Sequence, residues 1–129
     1  MEMLTKQDVT EPVLLIRIPK LFKPAMTEEA LCEATRGVWK VNPYRAKNAQ
    51  YALCIANNSV QEVYVIERWN PADPSNYKTR NDLTTAKCAG RWEFIGQVAP
   101  VEIRSKYVNK STPNMFKKGE AFPISYINI

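Results

Sequence analysis

The chain has 129 residues, enough for one domain and too few for two ordinary ones, and its apolar share of 45% with 24% charged residues fits a globular rather than a disordered chain. Eighteen Lys and Arg against thirteen Asp and Glu give a net charge of +5, a balance that attracts nucleic acid or an anionic membrane surface. There is no histidine, which removes Ser-His-Asp triads, imidazole-activated thiols and most zinc sites.

The opening "MEMLTKQDVTEP" carries acids and lacks an apolar core, so it reads as a loose segment (1–12) and not as a signal peptide. "PVLLIRI" (12–18) is a short apolar run and predicts a strand, followed by the proline-bounded loop "PKLFKP" (19–24). Thr27 then has the character of an N-cap, with Glu28 and Glu29 in the first turn where the helix dipole favours negative charge. Leu31, Ala34 and Val38 recur at helical spacing, and Gly37 suits a C′ position of positive φ, so a helix is expected over 28–36. "QYALCIA" (50–56) is apolar on both faces, as a strand of a closed barrel would be.

Asn57-Asn58 provides the two positive-φ residues of a tight hairpin leading into "SVQEVYVIERW" (59–69). A two-residue turn there pairs Ile55 with Val60, Leu53 with Glu62 and Tyr51 with Tyr64. Residues 70–90 lack periodicity and predict a long surface loop with at most one short turn. "RWEFIGQVA" (91–99) alternates, with Trp92, Phe94 and Val98 inward and Arg91, Glu93 and Gln97 outward, and Gly96 marks a bulge. Pro100 opens a helix over 100–107, on which Glu102 and Lys106 are spaced to pair. A loop around Phe116 leads to the last strand, "ISYINI". The order is β-α-β-β-loop-β-α-β: an α+β domain over 1–129, built as a small mixed, mainly antiparallel β-barrel of about five strands with two short helices.

The apolar runs near 13–18 and 51–56 are too short to span a bilayer, and a cytoplasmic location is expected. Cys32, Cys54 and Cys88 have no CxxC spacing and read as buried thiols.

The blocks "EATRGVWKV", "YALCIANNSVQEVYVIERW", "RWEFIGQVAPVEIRSKYVNKS" and "FKKGEAFPISYIN" resemble a family of small uncharacterised bacterial and phage proteins with shared RGxW, EVYxIxxW, RWxFxG and PIxYIN motifs. The likeness covers about residues 13–128. It departs from the family pattern at Asn57-Asn58, where a glycine is expected, and at Phe122, where an asparagine is expected. By architecture alone the order is also similar to PUA-like modules, including the ASCH, EVE and SRA types. That likeness implies an RNA partner or a modified base in DNA.

The residues themselves offer one constellation of matching chemistry. Arg36, Trp39, Lys40, Tyr44, Arg45, Trp69, Arg91 and Trp92 mix aromatic rings with cations. Rings stack on bases, cations neutralise phosphates, and aromatic walls are what a pocket for an extruded base requires. The competing reading makes Trp69 and Trp92 core and the arginines solvated or ion-paired. A second basic group comprises Arg104, Lys106, Lys110, Lys117 and Lys118, of which Lys117 and Lys118 form a phosphate-contacting turn only if they lie beside the first set. Carboxylates offer little to a metal-dependent nuclease: Asp73 and Glu93 are candidates without the usual lysine, and Glu62 and Glu67 fall on opposite strand faces. No metal and no cofactor is implied. The leading expectation is a non-catalytic nucleic-acid-binding module. The alternative is a protein-interaction module, such as a phage- or mobile-element-encoded inhibitor or accessory subunit that docks an acidic partner surface.

Overall fold

The computed structural model describes residues 2–113, 115, 116, 119 and 121–129. Five strands form one sheet: β1 (Val13–Arg17), β2 (Tyr51–Ala56), β3 (Ser59–Pro71), β4 (Trp92–Val98) and β5 (Ile124–Ile127). Their spatial order is β4-β3-β2-β1-β5. β1 and β2 run parallel, and the other neighbouring pairs are antiparallel. β4 and β5 are opposite edges, so the sheet is open and the expected barrel is not formed. The helices also exceed the expected two: α1 (Glu28–Arg36), α2 (Pro43–Ala46), α3 (Thr85–Cys88) and α4 (Val101–Tyr107).

Apolarity on both faces of β1 and β2 has a cause other than closure. A parallel pair needs a crossover connection, and here that connection carries α1 and α2 over one face of the sheet. Leu14, Ile16, Ala52, Cys54, Tyr64 and Phe94 pack there with Ala34 of α1 and Ala46 of α2. The alternate set, Val13, Leu15, Leu53, Val60 and Val63, faces Tyr107 of α4. Leu4 and Val9 are buried in this second layer and the Leu4 amide donates to the Ser111 carbonyl at 2.7 Å, so the N-terminal residues are packed rather than loose.

The hairpin turn falls at Asn57-Asn58, whose φ values of 51° and 57° are both in the left-handed region. Ile55 faces Val60 as expected, but the register then shifts: Cys54 faces Glu62, Leu53 faces Val63 and Tyr51 faces Val65. Gln61 is the extra residue of a bulge, and its side-chain amide donates to the Ala56 carbonyl at 2.8 Å. A second irregularity lies between Ile66 and Arg68, opposite Gly96 and Ile95, so the inserted residue is Glu67 rather than Gly96. The alternation expected of β4 is correspondingly broken: Phe94 is buried, but Val98 is exposed and Glu93 is fully buried.

α1 starts where its cap requires, with the Thr27 hydroxyl accepting from the Ala30 amide at 3.1 Å. It ends differently from expectation. Gly37 is extended, with φ −172°, and is not a left-handed cap. A Cβ built on it would overlap the Tyr77 hydroxyl and stand 3.1 Å from the Glu93 Cβ, so glycine is needed there for close approach. Gly37→Ala should therefore lose about 1–3 kcal/mol by overpacking, despite the small gain alanine brings through the unfolded chain. The Tyr77 hydroxyl has no hydrogen bond of normal geometry among the described residues, so adding Tyr77→Phe should recover part of the loss. Urea unfolding of the two variants checks this; equal stability of Gly37→Ala and wild type would contradict it.

Candidate functional site

The segment between β3 and β4 has little core of its own. It carries a single 3-10 turn, Pro74–Asn76, and α3, two short pieces where at most one turn was expected. Val38, Tyr77 and Cys88 form its small apolar cluster. Polar groups of α1 and β4 hold the rest. The Glu33 carboxylate accepts from the Lys78 and Thr79 amides and the Thr79 hydroxyl, at 2.7–3.0 Å. The Arg80 guanidinium donates to Asp82 at 2.9 and 3.0 Å, to the Glu33 carbonyl at 3.2 Å and to the Gly37 carbonyl. The buried Glu93 accepts from the Asp73 amide at 3.1 Å and the Asn76 side chain at 2.7 Å, and faces Arg36 at 3.5 Å. Arg36 also donates to the Asn76 carbonyl and lies 4.2 Å over the Tyr77 ring. Removing one member of such a buried pair leaves an uncompensated charge, at about 3–5 kcal/mol.

This bracing shapes a groove of two adjoining compartments, about 430 and 390 Å³, which share Lys20, Leu21, Arg80 and Asp82 in their walls. Lys23, Thr79 and Asn81 line the first; Arg17, Trp39, Lys87 and Arg91 line the second. Among the described residues that line the groove, the cations Arg17, Lys20, Lys23, Arg80, Lys87 and Arg91 face one carboxylate, Asp82. Asp82 is already engaged by Arg80 at 2.9 Å and Lys87 at 3.3 Å. Lys20 and Lys23 are exposed and have no ion pair among the described residues, and neither does Arg91. Arg17 donates to the Phe122 carbonyl at 2.9 Å and lies 4.1 Å over the Phe116 ring.

Trp39 is half-buried in this wall and fixed at three points. Its backbone exchanges two hydrogen bonds with Trp92, at 2.9 and 2.8 Å, and its indole N–H donates to the Thr35 carbonyl at 2.8 Å. With its polar atom committed inward, the ring presents only apolar surface to the groove.

Of the residues singled out in the sequence, the structure therefore brings Trp39 and Arg91 together. Arg36 lies in a different recess with Glu33 and Asn76, bound to Glu93. Tyr44 and Arg45 are on α2, where Arg45 stacks over Tyr126 at 3.9 Å and the exposed Tyr44 ring is 5.7 Å from the Lys47 ammonium. Lys40 is exposed outside the groove lining. Trp69 packs its edge on Phe94, with centroids 5.5 Å apart, and Trp92 is half-buried. Lys117 and Lys118 lie outside the described residues. The groove cations missed in the sequence, Arg17, Lys20, Lys23, Arg80 and Lys87, come from segments that look like ordinary loop or strand end; the lysines of "PKLFKP" were the one visible signal.

The second basic group is neutralised where it is described. Arg104 makes a two-pronged pair with Glu62, at 2.7 and 3.1 Å. Lys106 pairs with Glu11 at 2.5 Å and not with Glu102, and Lys110 lies 3.4 Å from Glu2. The thiols are poor nucleophiles: burial pushes Cys32 and Cys88 up and Cys54 to about 12. Among the described residues there is no cluster of three metal-ligating side chains and no helix long and apolar enough to cross a membrane. No family model, curated protein or solved structure matches the chain.

Hydrogen bonds from Arg80 hold the Asp82 carboxyl well below the usual range. Burial raises that of Glu33, but the Lys78 and Thr79 donors outweigh it and the net direction is down. Both groups bind protons less readily folded than unfolded. Their stabilisation is thus complete above the unfolded carboxylate range, near pH 4, and is lost as pH falls through the lowered folded values. The wild-type urea midpoint should drop between about pH 4 and pH 2. Asp82→Asn should start lower at neutral pH and drop less; a drop as steep as that of wild type would contradict the assignment.

Proposed function

We propose that the chain is a non-catalytic nucleic-acid-binding module whose contact surface is the groove between residues 17–26, Trp39 and residues 79–91. The observation that carries this reading is the pairing, in one groove, of an immobilised indole with lysines and an arginine that no carboxylate among the described residues neutralises. Cations in a concave site focus the field of a chain already at +5, and the groove lysines are positioned to displace counterions from phosphates. The contrast with α4 supports the same reading, since there each described cation is spent on an acid of the chain itself. A finer version, in which the Trp39 compartment takes an extruded or modified base, belongs to the same proposal.

Three phosphate contacts, by Lys20, Lys23 and Arg91, imply a log-log salt slope of about −2 to −3, so affinity should fall roughly tenfold or more between about 50 and 200 mM salt. Lys20→Ala with Lys23→Ala should flatten the slope by about 1.5. Trp39→Ala should weaken binding by about 1–3 kcal/mol, and Lys106→Ala should leave it unchanged. Anisotropy titrations of labelled DNA and RNA measure all four. The absence of binding at low salt, or binding indifferent to Lys20 and Lys23, would remove the proposal. Docking of an acidic protein surface, the alternative, would use the same lysines without needing the Trp39 ring.

A further inference from the structure

We infer that the groove takes a single polynucleotide strand in preference to a duplex, an inference that rests on the nucleic-acid reading above. The groove sets two kinds of surface side by side. Around Trp39 the walls include Ile18, Val38 and Pro123, apolar surface suited to the flat face of a base, beside the cations Arg17, Lys87 and Arg91. Lys20 and Leu21 line both compartments, and across Arg80 Lys23, Thr79 and Asn81 offer donors to phosphate and sugar oxygens. Arg80 is committed to Asp82, Glu33 and Gly37, so it forms a fixed ridge between the two and not a phosphate ligand.

A single strand presents both kinds of group at once, because its bases are free to turn away from the backbone. A duplex presents phosphates, sugars and base edges outward, but not the flat faces of its bases. Its bases are stacked inside, and reaching the recessed Trp39 requires extrusion of one of them at a few kcal/mol. The indole cannot move out to meet the duplex instead, since its N–H is held by the Thr35 carbonyl and its backbone by Trp92. The lysines serve either form, whereas Trp39 is accessible to an unpaired base alone.

The test compares fluorescein-labelled oligodeoxyuridylate, oligouridylate and a DNA duplex, each of about twelve nucleotides per strand, at about 50 mM salt. One or both single strands should bind at least tenfold more tightly than the duplex, and whichever is favoured identifies the sugar. Trp39→Ala should reduce that advantage while changing duplex affinity less than about twofold. Trp39→Phe, which keeps a ring in the wall, should retain most of the advantage and guards against loss of fold in the alanine variant. Equal or tighter duplex binding that still depends on Lys20 and Lys23 would overturn the strand preference and leave the nucleic-acid reading standing. Failure of all three probes to bind would overturn both.

Discussion

The buried polar brace between α1, β4 and the segment that joins β3 to β4 is the constraint on which the rest of the molecule depends. That segment has too few apolar residues to fix itself: it buries Tyr77 and Cys88, which pack on Val38 beyond the end of α1. Order comes instead from three buried or nearly buried charged side chains, Glu33, Glu93 and Arg80, each satisfied by several partners. Unpaired, such groups would cost several kcal/mol each; together they convert a loop into one wall of a groove. Gly37 completes the arrangement by letting the chain pass against the Tyr77 ring with no side chain between.

The same brace decides which cations are free. Asp82 and Glu93 are consumed by Arg80, Lys87 and Arg36, so no acid among the described residues remains in the groove to answer Lys20, Lys23 and Arg91. On the opposite face, Glu62, Glu11 and Glu2 are matched to Arg104, Lys106 and Lys110. Lys20, Lys23 and Arg91 are thus left without an ion pair among the described residues of the groove that also holds Trp39. Cations set beside an apolar ring in one recess suit the alternating flat and anionic parts of the ligand proposed above.

Signals that act within a few residues were legible in the sequence. Thr27 with two following glutamates set the start of α1, Asn57-Asn58 set the hairpin, and Pro100 set the start of α4. Signals that need partners distant in the chain were not. Glu93 reads as an outward residue of an alternating strand because its partners, Arg36 and Asn76, are brought to it only by the fold. The bulge at Gln61 is fixed by a side-chain hydrogen bond that periodicity does not encode. β1 and β2 look like barrel strands because burial by helices and burial by closure leave the same apolar run. Of the opening set of aromatic and basic residues, Trp39 and Arg91 line one groove, whereas the charge of Arg36 is spent on the buried Glu93. The groove itself draws on residues 17–26, α1 and the Val38-Trp39 pair after it, residues 79–91 and residues 121–123, which no local pattern joins.

Backbone hydrogen exchange, followed with and without a saturating single-stranded oligonucleotide at low salt, tests the central claim most directly. Residues 17–26 and 79–91 are walls of the groove, and the account predicts that slowed exchange is confined to them and to the Trp39 region. Slowing centred on α4 or on α2 and Tyr126, with residues 17–26 and 79–91 unchanged, would contradict it.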